Sequence, residues 1–347
     1  MAGVISRRGQ SSLTVGLALV VLALVVLALV FALTAVPHPA ATGVHRKRRR
    51  GPHAIIANAR PVWNGDTFTI RATNTRLPPY QFSSSSGPDG GWLQPSSNTN
   101  PNVDGVTVVD DPMGLSSSVP PYGVRKVIKL TTDERRSFAG QYVRTELRGP
   151  QIFRAGQTRW VIVELYIPPG TPVMPRKSRE FWTVMSIFGS PYEGASPNSF
   201  QLARNRAGTG NDIVWDLPNG IPIWHTPATP GVWHILARRI EFDSDPRKGY
   251  SEVWYSQRAP DGSPRTPLIR QVVGGEGGIP LSHRRYYRTL DPAHNWDGTP
   301  NHPDLKNYHT AGMWPGRRFI SLYFARYRVY DGATPVEEID PYYTGLR

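Results

Sequence analysis

Trp160-Val161-Ile162-Val163-Glu164-Leu165-Tyr166 decides the fold class. In an extended strand, side chains alternate between faces, so Trp160, Ile162, Glu164 and Tyr166 project one way and Val161, Val163 and Leu165 the other. Both sets are apolar apart from Glu164, so the strand must be covered on both faces, as inside two packed sheets. Working outward, period-2 patterning marks strands at 67–71, 124–130, 141–147, 158–166, 181–188, 199–203, 212–215, 231–242, 250–256 and 318–330. Helical periodicity is nearly absent, and only 132–136 and 304–308 are expected to form short turns. The expectation is all-β: an antiparallel β-sandwich of jelly-roll, concanavalin A-like type over residues 55–347, preceded by one N-terminal transmembrane helix.

Composition agrees. Glycine (33) and proline (34), with 15 Tyr and 10 Trp, suit many short strands and long loops. Cysteine is absent, which excludes a disulfide framework and thiolate chemistry. The net charge is +14, and half of it lies in residues 1–50, where Arg7, Arg8, Arg46, Lys47, Arg48, Arg49 and Arg50 meet no acid. The remaining excess favours an anionic partner without choosing among polysaccharide, nucleic acid and membrane surface. No recognised nucleic-acid motif accompanies it, so no nucleic-acid partner is expected.

Residues 1–12 form a short basic segment, and 13–36 are apolar apart from Thr14, Gly16 and Thr34. That stretch is long enough to cross a bilayer as a helix, so the chain is expected to partner a membrane through it. Ala40 and Ala41 keep a cleaved signal, and hence secretion, as the alternative. Residues 37–54 read as a basic linker. Arg46 to Arg50 outweigh Arg7 and Arg8, and the positive-inside rule would hold that basic side in the cytoplasm. The functional expectation points the other way, to an external C-terminal domain.

The chemistry is concentrated in Val143-Arg144-Thr145-Glu146-Leu147-Arg148-Gly149. Strand alternation puts Arg144, Glu146 and Arg148 on one side. Two guanidinium groups flanking a carboxylate suit a carboxylated or sulfated ligand, because the planar Arg fork matches such groups. The spacing alone leaves a solvated face with a surface ion pair equally open.

Around this strand, other pieces recur in order: Trp63-Asn64-Gly65-Asp66, Tyr166-Ile167-Pro168, Phe181-Trp182-Thr183-Val184-Met185, Gly231-Val232-Trp233-His234, Gly249-Tyr250-Ser251-Glu252-Val253-Trp254 and Tyr323-Phe324-Ala325-Arg326-Tyr327-Arg328. The series resembles the jelly-roll polysaccharide lyases, in particular the heparin-lyase-like family, over roughly residues 60–332. The Arg-Thr-Glu-Leu-Arg strand is also similar to that of jelly-roll alginate lyases. The resemblance implies binding of an anionic, uronate-containing polysaccharide and its cleavage by β-elimination. Abstraction of the C5 proton builds charge on the uronate carboxylate, which cations must stabilise while a His or Tyr moves the proton. The resemblance implies Arg144 and Arg148 for charge neutralisation, Glu146 to orient one of them, and Tyr330 or Tyr327 as the catalytic phenol.

The family's Gln-x-His falls here at Ser186-Ile187-Phe188, and its Tyr-Phe-Lys-x-Gly-x-Tyr reads Tyr323-Phe324-Ala325-Arg326-Tyr327-Arg328-Val329-Tyr330. Arg326 and Arg328 replace the missing Lys and alternate onto the face of Tyr330, which puts Tyr330 ahead of Tyr327. Among His225, His234, His283, His294, His302 and His309, the last is nearest the final strand and is the candidate substitute base. His234, beside Trp233 in an apolar strand, reads as a core histidine. The stretch 283–309 reads as a loop lying over a groove.

Trp63, Trp160, Trp182 and Trp254 are expected in the core, while Trp92, Trp224, Trp296 and Trp314 are open to sugar stacking as well as packing. No cofactor is expected. Calcium among Asp104, Asp110 and Asp111, and zinc among His294, His302 and His309, stand as minor alternatives. The competing functions are a lyase, a non-catalytic carbohydrate-binding or wall-associated domain, and, ranked last, a glycoside hydrolase using Glu338-Ile339-Asp340.

Overall fold

The computed structural model describes residues 59–65, 105–116, 123–133, 142–149, 152–175, 182–188, 199–216, 222–259, 266–275, 278–290, 302–310, 313–314 and 319–340, all within one compact unit, Pro52–Arg347. The strands are β1 (Trp63–Asn64), β2 (Val106–Asp110), β3 (Lys126–Asp133), β4 (Tyr142–Arg148), β5 (Gln157–Tyr166), β6 (Trp182–Phe188), β7 (Phe200–Arg204) and β8 (Asn211–Asp216). They continue with β9 (Pro222–Pro227), β10 (Trp233–Phe242), β11 (Tyr250–Gln257), β12 (Ile269–Arg270), β13 (Arg285–Tyr286), β14 (His302–Thr310) and β15 (Phe319–Asp331). The described helix is short: α1 (Val336–Ile339).

A nine-stranded sheet runs β12-β11-β10-β5-β15-β3-β2, with β1 on β15 and β13 on β11, and a six-stranded sheet runs β4-β14-β6-β7-β8-β9. The chain changes sheet at each step from β3 to β6, and the pairings are antiparallel, so the expected β-sandwich is observed. The expected strands appear within a few residues of their bounds, except 67–71, which lies outside the described residues. Segment 304–308 is a correction: it belongs to β14, paired on both sides by β4 and β6. Likewise 283–309 is not one loop, since it contributes β13 to the larger sheet and β14 to the smaller.

The main core lies between the sheets. Val161, Val163 and Leu165 of β5 meet Leu147, Met185, Leu202 and Trp215 from the smaller sheet. Full burial of each such side chain contributes about 1.5–3 kcal/mol. The outer face of β5 is covered differently from the expectation. Trp160 and Ile162 pack with Ile235, Ala237, Leu268 and Tyr330 beneath Val336 and Ile339 of α1. Tyr166 packs with Val127, Trp233 and Ala325. In β15 the register with β5 shifts between Ala325 and Arg328, where Arg326 adopts φ 50°. That bulge turns Arg326 to the same side as Ala325 and returns Tyr327 to the main core. Residues 13–36 lie outside the described residues; among those described, no helix is long and apolar enough to cross a membrane.

Candidate functional site

Strand β4 forms one edge of the smaller sheet. Val143, Thr145 and Leu147 are buried on the core side, and the Thr145 hydroxyl donates to the Thr131 carbonyl of β3 at 2.8 Å. Positions 144, 146 and 148 therefore belong to the outer face. The neighbouring β14 sets Tyr308 opposite Arg144, Lys306 opposite Glu146 and Asp304 opposite Arg148. Its alternate residues point inward: Leu305 joins the core, and the Asn307 amide donates to the Leu130 and Ile320 carbonyls at 3.0 and 2.9 Å.

On the outer face the Lys306 ammonium lies 3.3 Å from Asp304 Oδ2 and 4.0 Å from Glu146 Oε1. Glu146, Asp304 and Lys306 are 3%, 0% and 8% exposed, so these charges interact at well below the dielectric of water. Ser186 of β6 stands opposite Asp304, and its buried hydroxyl oxygen has no hydrogen-bond partner among the described residues.

Register extends this face across the whole sheet. Arg144, Tyr308, Thr183, Gln201, Val214 and His225 stand opposite one another in turn from β4 to β9. Five strand spacings make the row roughly 24 Å long. At its far end His225 Nδ1 lies 3.2 Å from Asp212 Oδ2, with the His225 side chain 56% exposed. The row ends at an exposed histidine, and Thr183 and Val214 along it are buried.

The structure does not bring the other sequence-derived candidates to this face. His309 points into the core, its Nε2 3.0 Å from the Thr132 hydroxyl and Nδ1 3.1 Å from the Thr310 carbonyl. Burial pushes its pKa down to about 4 although the Thr310 carbonyl pulls it up, which leaves a neutral, enclosed ring. Tyr327 also faces the core, edge-on to Trp63 at 5.6 Å. Burial, aided by Asp304 and opposed by Arg238, holds its phenol well above the ordinary value. Tyr330, Arg326 and Arg328 lie on the outer face of the nine-stranded sheet, where with Glu164 they line a cavity of about 10 Å³, the size of one water.

That second face carries a buried ion network. Arg125 donates from Nε to Asp111 Oδ2 at 2.7 Å and from Nη1 to Glu164 Oε2 at 2.6 Å, and its guanidinium lies 4.7 Å from the centre of the Trp233 ring. Asp111 Oδ1 accepts the Trp233 indole N–H at 3.1 Å and the Met113 N–H at 2.8 Å. Arg326 Nε lies 3.3 Å from the other Glu164 oxygen. Burial pushes the Glu164 carboxyl up, but Arg125, Arg326 and Arg258 outweigh it and hold the group at about 2.

The expected calcium site is occupied by protein partners: Asp110 pairs with Lys126 and Asp111 with Arg125, while Asp104 lies outside the described residues. For zinc, His309 is enclosed and His294 lies outside the described residues. Among the described residues no three His, Cys, Asp or Glu are placed to hold a metal. The hydrolase candidate is also dispersed, since Glu338 is exposed on α1 whereas Asp340 is buried and accepts the Leu268 N–H at 2.7 Å. Trp63, Trp160 and Trp182 are core as expected, whereas Trp254 is only partly buried. Trp224 and Trp314 are core as well, which removes them from sugar stacking; Trp92 and Trp296 lie outside the described residues. His234 is a core histidine as expected, bonded to the Tyr255 hydroxyl and the Thr229 carbonyl, both at 2.9 Å.

Sequence reasoning missed Asp304, Lys306 and Tyr308. The signal was the alternation of Leu305, Asn307 and His309 with them, hidden because Asp, Asn and Lys are poor strand formers.

No protein-family profile matches the chain, and no curated protein matches it in sequence. Among solved structures it is similar to the catalytic domain of a glycoside hydrolase family 131 protein from Coprinopsis cinerea, with 16% identity, TM-score 0.49, and 80% of this chain and 97% of that one covered. It is similar to a family 131 β-glucanase catalytic domain from Podospora anserina, with 17% identity, TM-score 0.46, and 82% and 99% covered. An alginate lyase from a Chlorella virus gives 14% identity, TM-score 0.30, and 65% and 93% covered. Likenesses this distant assign no activity to the chain.

Proposed function

We propose that the protein binds an anionic, uronate-containing polysaccharide along the outer face of the six-stranded sheet and cleaves it by β-elimination. The observation that carries this reading is the register of β4 against β14, which gathers Arg144, Glu146, Arg148, Asp304, Lys306 and Tyr308 on one face. The net positive charge of this group matches a uronate carboxylate, and Arg144, Arg148 and Lys306 neutralise the charge that builds there as the C5 proton leaves. Tyr308, opposite Arg144, takes that proton and returns one to the leaving oxygen. Tyr308 and Lys306 thereby take the parts that the lyase resemblance assigned to the last strand.

A second reading rests on the buried carboxylates Glu146 and Asp304, bridged by Lys306 on the same face: an acid and base pair for glycoside hydrolysis. Incubating the full-length protein with uronate and neutral polymers separates the two. Ultraviolet-absorbing unsaturated ends support elimination, reducing ends without unsaturation support hydrolysis, and binding without product leaves a carbohydrate-binding domain. The same proposal places the domain outside the cell, anchored through residues 13–36. Its digestion by protease added to intact cells is the expected result, and protection overturns the placement.

A further inference from the structure

A second charged cluster lies on the outer face of the nine-stranded sheet, towards its β12 edge. Glu252 of β11 is 2% exposed, and its Oε1 accepts Arg270 Nη2 at 2.6 Å and Arg284 Nε at 2.8 Å. Arg239 Nη1 lies 3.9 Å from Oε2. The three guanidinium groups come from β10, β12 and the residue preceding β13, and their side chains are 30%, 37% and 33% exposed. One carboxylate therefore gathers three cations at a surface that solvent reaches, an excess of two positive charges. A guanidinium has five N–H donors, and Arg270 spends one of them on Glu252. Its Nε and the Trp254 indole N–H, opposite it in register, have no acceptor among the described residues. Arg284 also lies 3.9 Å over the Tyr250 ring, and Tyr250 meets the 48% exposed Tyr286 edge-on at 5.8 Å.

We infer that this cluster is a docking site for a sulfated polysaccharide, separate from the six-stranded face. Arginines converging from three elements suit the several oxygens of a tetrahedral ester, where a planar carboxylate takes a two-pronged pair. The exposed Tyr286 ring beside them offers an apolar platform for a sugar.

The test measures binding of the full-length protein, held in neutral detergent, to dextran sulfate, to polygalacturonate and to phosphatidylserine vesicles over a salt series. Dextran sulfate carries no uronate, so failure here is distinguishable from failure of the six-stranded face. The Arg270→Gln/Arg284→Gln variant is expected to lose at least about tenfold in dextran sulfate affinity with a shallower salt dependence, and to keep polygalacturonate binding. Arg204→Gln/Arg206→Gln removes equal charge from exposed positions at the end of β7 and in the turn after it, and is expected to leave dextran sulfate binding nearly unchanged. Tyr286→Ala, at an exposed position, is expected to weaken it severalfold without loss of fold. Equal losses in the two arginine variants, parental affinity in a folded Arg270→Gln/Arg284→Gln protein or in Tyr286→Ala, or binding to vesicles alone would each overturn the inference.

Discussion

On the six-stranded sheet Lys306 reaches Asp304 at 3.3 Å and Glu146 at 4.0 Å, while on the nine-stranded sheet Arg125 reaches Glu164 at 2.6 Å and Asp111 at 2.7 Å. Both are buried ion groups on the outer face of a sheet, yet they differ in what they join. Arg125 on the approach to β3, Glu164 on β5 and Arg326 on β15 tie one sheet to the segment after β2, with the Trp233 ring closing over the guanidinium. Lys306 bridges carboxylates of two adjacent strands, at the end of the sheet away from the exposed His225. Burial of charge alone does not separate a structural network from a functional face. What separates them is the reach of the tie: the Arg125 network joins the larger sheet to the segment after β2, whereas the Lys306 group stays within two adjacent strands of one sheet.

Exchanging one phenol on each face gives the sharpest break between them. Tyr308→Phe is expected to lower the rate of unsaturated product formation by about 10²–10⁴-fold, while Tyr330→Phe leaves it unchanged. Equal effects of the two would erase the distinction. The stability counterpart is Glu164→Gln, which leaves Arg125 and Arg326 without a carboxylate and is expected to cost about 3–5 kcal/mol, read as a fall in Tm with polymer binding retained. Because the Glu164 carboxyl is held at about 2, below its ordinary 4.5, its stabilisation is present above the ordinary value and lost as pH falls towards 2. Glu164→Gln should remove that slope from a series of denaturant titrations.

The buried histidines set a milder window. His234 and His309 both have pKa values lowered to about 4 by burial. The unfolded chain therefore binds more protons between about 6.5 and 4, and stability falls as pH drops through that interval, by about 3 kcal/mol for each ring. His309→Gln should flatten this part of the stability profile; an unaltered profile would remove the ring from it. Asp340 acts with the opposite sign. Burial raises its carboxyl to about 6, against the Leu268 N–H and Arg326, so its ionised form at pH 7 costs stability. Asp340→Asn keeps an acceptor for that N–H and is expected to raise Tm at pH 7 by a few degrees, equivalent to about 1–3 kcal/mol, and not at pH 4.

The sandwich was legible because Trp160 to Tyr166 and its counterparts follow period 2 with β-branched and aromatic residues. Strand β14 was not, because Pro303, Asp304, Lys306 and Asn307 carry turn chemistry that two flanking strands override. That misreading hid Asp304, Lys306 and Tyr308, which stand opposite Arg148, Glu146 and Arg144. Arg326, Arg328 and Tyr330 share one face as their alternation implied, and that face belongs to the nine-stranded sheet. His309 shows the limit of sequence proximity: it is on the strand beside β4, but parity turns it inward.

The position of β15 has a consequence for how the chain is made. It follows every other described strand in sequence, yet it lies at the middle of the larger sheet, between β5 and β3, and also pairs with β1, the first described strand. The larger sheet cannot close until β15 has been synthesised, and its pairings span long sequence separations. Folding is therefore expected to be slow and to wait for β15, with the apolar faces of β3 and β5 exposed meanwhile to aggregation and to chaperones.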